Sequence, residues 1–245
     1  EKISENTHPL LMKRDVKKVL VIVYSSDRGL CGGFNTMLMK KVLEYEKSLK
    51  DVQVDYLPIG KRAQDFLARS GRNVIAAFSA MTNHPKLSDT RAIGKMAMDY
   101  YADGSYDKVV LLYQHFISAL VQKPTAYQLL PFSKKVLLEM AHSLGLFKHL
   151  KEQPEEKDRT DYLFEPSGDA ILNNLLPQLT QMQLFQAAQE TSASEHSARM
   201  LAMRNATNNA SDFIDDLTLH LNKVRQAIIT REIAEISAGK IALGF

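Results

Sequence analysis

Residues 19–35 read VLVIVYSSDRGLCGGFN, an apolar run followed by a glycine-rich turn. The run VLVIVY (19–24) is rich in β-branched residues and bounded by polar ones, which predicts a buried strand. Residues 35–49 then carry apolar side chains at helical spacing, which predicts a helix. Many proteins hold a phosphate at a glycine-rich turn between a strand and a helix. The stretch therefore predicts a strand, a turn and a helix in succession, and it raises the question whether the turn binds a phosphate.

The alternation of strand and helix continues to the middle of the chain. Further strands are predicted at 52–59, 73–78 and 107–114, and helices at 61–71 and 86–104. This order predicts a Rossmann-like α/β domain with a mostly parallel sheet. Residues 117–132 predict one more strand, which Pro124 would restrict to an edge. The lysine- and glutamate-rich stretch 133–161 is interpreted as a variable region, a short helix and then a loop, that ends the domain 1–161.

The second part of the chain has far fewer glycine and proline residues than the first. Residues 169–238 contain no glycine and a single proline, Pro177. Because glycine and proline are the main breakers of regular structure, residues 162–245 predict one long helix with Ser167 as a candidate cap. Seventy such residues would extend about 105 Å, against about 40 Å for the compact domain. Pro177 and the poor helix formers at 205–211 are the two places where a bend is expected.

Six residues of this helix recur at alternating steps of four and three: Ala210, Ile214, Leu217, Leu221, Val224 and Ile228. That spacing is the a/d seam of a coiled coil, although an amphipathic helix lying on its own domain is the alternative. Leaving the larger side chains in water forgoes about 1.5–3 kcal/mol for each. We therefore expect the seam to pack against a partner helix that this stretch of sequence does not provide.

Composition excludes several classes of function. The chain has 245 residues and a net charge of +3, which is too small to predict a nucleic-acid partner. No apolar run is long enough to span a membrane, and the first residues do not resemble a secretory signal. The single cysteine cannot form an internal disulfide.

The glycine turn matches neither common phosphate-binding template. A Walker-type loop needs a lysine directly after its last glycine, but the next lysine is Lys40, and the spacing of the glycines also fails the dinucleotide fingerprint. We interpret the turn as structural, formed by Asp27, Arg28, Gly29, Cys31, Gly32 and Gly33. A nucleophilic Cys31 would need a nearby base, and burial in the turn is favoured instead. No catalytic, cofactor or metal site is predicted, since the histidines show no metal-ligand spacing.

Three segments carry a resemblance to a known family: SSDRGLCGGFN (25–35), SEHSARMLAMRNATNNA (194–210) and ITREIAEISAG (229–239). Together they resemble the gamma subunit of F-type ATP synthase, over nearly the whole chain. The resemblance implies a non-catalytic rotor shaft that couples ion-driven rotation of a c-subunit ring to ATP synthesis or hydrolysis in an alpha–beta hexamer. Its α/β domain would be the foot, beside the epsilon subunit and the c ring.

The resemblance also assigns residues and location. The long helix would form half of an antiparallel coiled coil, whose other half is the N-terminal helix of the family, expected to be missing from this chain. Arg199, Gln226, Thr230 and Glu232 would contact the alpha and beta subunits. The complex would lie peripherally on the cytoplasmic side of a bacterial membrane, with no direct membrane contact by this subunit. A nucleotide-binding α/β enzyme and a coiled-coil adaptor are the alternative functions.

Overall fold

The computed structural model describes residues 8–49, 51–79, 85–132 and 168–242. The chain forms two compact units, Glu1–Arg199 and Met200–Phe245. After a short 3-10 helix, Pro9–Leu11, the elements are β1 (Lys18–Tyr24), α1 (Phe34–Ser48), β2 (Gln53–Ile59), α2 (Lys61–Arg69), α3 (Leu87–Ala102), β3 (Lys108–Phe116), β4 (Gln122–Leu130) and α4 (Gly168–Ala242).

The four strands form one mixed sheet in the order β2-β1-β3-β4. β1 is parallel to both β2 and β3, and β4 is antiparallel to β3. Every residue of β1 after Lys18 is buried, as expected for a central strand covered on both faces. Pro124 lies in β4, the edge strand at which its missing N–H is tolerated. The predicted α/β class with a mostly parallel sheet is confirmed.

The sheet has a core on each face because successive strand side chains alternate in direction. Leu20, Ile22 and Tyr24 of β1 face a core that contains residues of α3 and α4. Val19, Val21 and Val23 face a second core with residues of α1 and α2. Helix α4 therefore lies on the face of the sheet to which Leu20, Ile22 and Tyr24 point. The glycine turn follows the carboxyl end of β1.

The predicted strand at 73–78 is wrong. The segment follows the outer edge of β2 but makes only two isolated bridges, Tyr56 to Val74 and Ile59 to Phe78. Backbone hydrogen bonds join Tyr56 N–H to Asn73 O and Phe78 N–H to the carbonyl of Pro58. Because Pro58 has no N–H to donate, the ladder is interrupted between the two bridges.

Helix α4 is continuous through both places at which a bend was expected. Pro177 lies inside the helix, and residues 205–211 are helical. Hydroxyl groups bond back to carbonyls four residues earlier, among them Thr180 to Leu176 O and Thr207 to Met203 O. The candidate cap Ser167 and the predicted short helix in 133–161 lie outside the described residues.

The predicted domain boundary, between residues 161 and 162, differs from the division in the structure. The first compact unit extends to Arg199 and so includes the first part of α4. Leu176, Leu184 and Ala187 of that part are buried in the core above the sheet. The helix does not end where its packing changes, so a boundary drawn from secondary structure and a division drawn from packing lie at different positions.

Candidate functional site

The glycine turn is bonded closely to the start of α2. Asp27 Oδ1 accepts a hydrogen bond from Lys61 N–H at 3.0 Å, and Ser26 O accepts from Arg62 N–H at 3.1 Å. Ser25 Oγ accepts from Ala63 N–H at 2.9 Å. The free N–H groups of a helix start are the donors with which proteins hold phosphate. Here Asp27 and the two serines before it occupy three of those donors on α2.

A second set of bonds holds the turn to α1. Asn35 Nδ2 donates to Ser26 Oγ at 2.7 Å and to Cys31 Sγ at 3.2 Å, while Phe34 N–H donates to Cys31 O. The predicted burial of Cys31 is confirmed, since its exposed fraction is 2%. Cys31 contacts amide and hydroxyl groups, and neither can act as the base that a thiol nucleophile needs.

Backbone geometry explains two of the glycines around the turn. Gly60, with φ of 96°, lies so close to the turn that a Cβ there would be 2.3 Å from Ser25 O. Gly32 has φ of 56°, in the left-handed region that glycine adopts without strain. Leu30 is also left-handed and is 76% exposed. The turn therefore presents an apolar side chain outward, which the sequence pattern did not predict.

Helix α4 closes the carboxyl ends of the central strands. In open α/β sheets a ligand crevice forms where the strand order reverses, here between β1 and β3. Ser194 Oγ donates to Gln114 O at 3.2 Å, and Gln114 Nε2 donates to Phe34 O at 2.9 Å. Tyr24 Oη donates to Leu184 O at 3.1 Å, and burial raises the pKa of Tyr24 strongly, so the phenol stays protonated. The usual ligand crevice is occupied by the chain's own helix.

Arg199 lies at the end of this contact. Its guanidinium donates to Glu195 Oε1 at 2.6 Å and to the carbonyl of Gly29 at 3.4 Å. Glu195 is only 1% exposed, so the pair neutralises a buried carboxylate. The structure thus places Arg199 against the glycine turn, within the first unit. Gln226, Thr230 and Glu232 belong to the second unit, where they are exposed, and the contact of all four with other subunits stays a prediction.

The second unit carries the predicted seam. Within residues 200–239 nearly every residue is exposed, including Ala210 of the seam. The exposed fractions of the larger seam residues are 63% for Ile214, 68% for Leu217, 65% for Leu221, 44% for Val224 and 48% for Ile228. An apolar face of this length is typical of a surface that another chain or segment covers.

Apolar exposure continues beyond the predicted seam. Ile229, Ile233 and Ile236 are 46%, 59% and 72% exposed and follow the same steps of four and three. Since a helix turns by roughly 100° per residue, this row begins about 100° around the helix from Ile228. The spacing of these isoleucines is visible in the sequence, but the predicted seam ends at Ile228 and does not include the shifted row. One partner helix along the seam does not cover both rows.

Metal-binding clusters and membrane-spanning helices are both absent from the residues that the structure describes. Within them, no three histidine, cysteine, aspartate or glutamate side chains are grouped as a metal site would need. None of the described helices combines the length and apolar character required to cross a bilayer.

Comparison with known proteins gives one consistent result. The ATP synthase family model matches residues 1–243. The ATP synthase gamma chain of Pelotomaculum thermopropionicum is 39% identical over 240 residues, which are 97% of this chain and 78% of that protein.

Solved structures agree with the sequence comparison. A chain of the Tetrahymena thermophila mitochondrial ATP synthase, from its central stalk and c-ring, has a TM-score of 0.59 at 25% identity, over 80% of this chain and 79% of that one. A chain of the Euglena gracilis mitochondrial ATP synthase, from its OSCP/F1/c-ring structure, shares the fold, with a TM-score of 0.62 at 17% identity over 99% of this chain and 81% of the other. The chain therefore belongs to the ATP synthase gamma chain family, whose members are subunits of an ATPase complex.

Proposed function

We propose that this chain is the central rotor shaft of an ion-translocating F-type ATP synthase, coupling rotation of a c-subunit ring to ATP synthesis or hydrolysis. The observation that carries the proposal is the exposed apolar seam of α4, from Ile214 to Ile228. A non-catalytic subunit that works by contact needs such a surface, and the family gives it a place among the subunits of the enzyme.

The seam pairs with an antiparallel helix. In the gamma family that helix is N-terminal, and its apolar side chains would fill the spaces between Leu217, Leu221 and Val224 as knobs into holes. Covering five large side chains would recover about 1.5–3 kcal/mol for each. Without that helix we expect self-association, aggregation or a loosened end of α4.

The tip of α4 meets the alpha and beta subunits. Ile229, Ile233 and Ile236 form the second apolar row, and the polar residues Gln226, Thr230 and Glu232 lie in the same stretch. An apolar row beside polar side chains is the composition of a protein–protein interface with an apolar centre and a polar rim. Because that row lies on a different side of the helix from the seam, it is available to a different partner.

The α/β unit is the foot. It binds the epsilon subunit and the c ring. The subunit catalyses nothing itself: it is turned by the ring, and its asymmetric shaft drives each beta subunit through its states in order. The complex is peripheral on the cytoplasmic side of a bacterial membrane, and this chain reaches the membrane only through the ring.

The decisive experiment is co-assembly of the full-length protein with alpha and beta subunits. The seam variant Leu217→Asp/Leu221→Asp should reduce the yield of assembled complex, and the ATP hydrolysis that depends on it, by at least about tenfold, because two charges would be buried at the helix interface. Leu219→Asp is the matched control. Leu219 is 55% exposed and lies about 200° around the helix from Leu217 and Leu221, so this variant should assemble normally.

The alternatives predict other outcomes. A coiled-coil adaptor would form a stable homodimer through the seam and show no affinity for the alpha–beta hexamer. A nucleotide-binding enzyme would bind ATP or NAD at micromolar concentration in isolation, measurable by calorimetry. Either result, or equal assembly of the seam and Leu219→Asp variants, would overturn the rotor-shaft proposal.

A further inference from the structure

One ion pair joins the end of β3 to helix α4. His115 Nδ1 lies 2.5 Å from Glu190 Oε2, and the two side chains are 47% and 17% exposed. Glu190 Oε1 accepts a second hydrogen bond, from Gln186 Nε2 at 3.0 Å. Both carboxylate oxygens are therefore engaged, and the carboxylate is fixed in position on the helix. The histidine is the more accessible partner, open to protons from solvent.

Groups on three elements surround the pair. Lys123 of β4 is the cross-strand partner of His115 on β3, and Glu190 lies on α4. Burial, followed by the charge of Glu190 and then by Tyr127, raises the pKa of Tyr113 to about 12, so this phenol stays neutral. Histidine is the side chain whose charge changes between pH 5 and 8.

The His115–Glu190 pair lies where the polar contacts between α4 and the α/β unit begin. Toward the amino end of the helix the contact with the sheet is mostly apolar, through Leu176, Leu184 and Ala187, with one hydrogen bond from Tyr24 to Leu184 O. From Glu190 onward it becomes polar, with Ser194 bonded to Gln114 O and Arg199 to Gly29 O. Among these contacts, the His115–Glu190 pair is the one that contains a histidine.

We propose that His115 and Glu190 form a proton-dependent anchor that holds α4 more firmly to the sheet when His115 is protonated. Protonated His115 and ionised Glu190 form a charged pair with a hydrogen bond, whereas neutral His115 keeps at most the hydrogen bond. Acidification then strengthens the connection between the foot and the helix, and alkalinisation weakens it.

Hydrogen exchange of the full-length protein tests this directly. Protection of residues 186–194, corrected for the intrinsic pH dependence of exchange, should be about two- to fivefold greater at pH 5.5 than at pH 8, the range expected for a partly exposed ion pair. A peptide from α1 serves as the internal reference and should show no such change. The measurement requires no ATP turnover, so its failure is distinguishable from failure of the rotor-shaft proposal.

Three variants define the result. His115→Lys, permanently charged, should keep the strong protection at both pH values, and His115→Gln, never charged, should keep the weak protection at both. His196→Gln is the matched control, because His196 is an exposed histidine on the same helix, and it should retain the wild-type pH dependence. Equal protection of the wild type at both pH values, or a pH response that persists in both His115 variants, would overturn the anchor.

Discussion

Two stretches of α4 carry apolar residues at helical spacing and have opposite surroundings. Leu184 is fully buried against the sheet, whereas Leu221 is 65% exposed. The buried stretch is rich in small residues, among them Ala187, Ala188 and Ser194, and the exposed stretch in large leucine and isoleucine side chains. Small residues let a helix approach a flat sheet closely, whereas large branched ones fill the holes of a facing helix. Residue size, as well as hydrophobicity, separates the two kinds of contact.

The largest expected difference between the stretches comes from truncating one leucine in each. Leu184→Ala should lower the free energy of unfolding of the first unit by about 2–5 kcal/mol, since it removes a fully buried side chain and leaves a cavity. Leu221→Ala should change it by less than about 0.5 kcal/mol in the isolated chain. Urea unfolding followed by circular dichroism measures both. Equal losses would contradict the division of α4 into a buried and an exposed stretch.

Removal of one arginine from each stretch should have a smaller effect. Arg199→Ala leaves the carboxylate of Glu195 buried and unpaired, and should cost about 1–3 kcal/mol because the site is partly open to solvent. Arg204→Ala, at an exposed position, should cost less than about 0.5 kcal/mol. Adding Glu195→Gln to Arg199→Ala should recover part of the loss. If the double variant is no more stable than Arg199→Ala, the buried charge is not the cause.

Tyr24→Phe removes a single hydrogen bond between β1 and α4. Loss of the bond to Leu184 O should cost about 1 kcal/mol at neutral pH. Because burial raises the pKa of Tyr24 above the ordinary value of 10.0, the contribution of the protonated phenol is complete below pH 10 and is lost as the pH rises further. The wild type should therefore lose more stability than the variant above pH 10. Parallel decline of both proteins in alkaline unfolding curves would exclude this role of Tyr24.

The smallest effect is expected at two helical glycines. Gly239→Ala has no atoms within 4 Å of the new Cβ and should stabilise the end of α4 by up to about 1 kcal/mol, seen as slower amide exchange there. In Gly94→Ala of α3 the new Cβ would lie 3.3 Å from Leu184 Cδ1. This crowding should cancel the stabilisation that alanine gives a helix, so the thermal midpoint of unfolding should not rise. A clear rise in the midpoint for Gly94→Ala would mean that α3 and α4 pack more loosely than the structure indicates.

Sequence patterns located most elements but predicted one strand that does not form. The strand at 73–78 was predicted from its apolar residues, yet Pro58 on the neighbouring strand cannot donate the hydrogen bond that a ladder there would need. Residues 205–211, where a bend was expected, are helical. Local propensity is a weak guide where neighbouring turns keep a helix intact.

Four features can be predicted from the amino-acid sequence alone: the alternation of strands and helices, the mostly parallel sheet, the failure of both phosphate templates at Gly29–Gly33, and the seam from Ala210 to Ile228. These follow from spacing along the chain, which is a local property. The folded structure was needed to show that α4 closes the carboxyl ends of the sheet, that Arg199 bonds to the glycine turn, and that His115 contacts Glu190. Such contacts join residues tens of positions apart or more, and no periodicity in the chain encodes them.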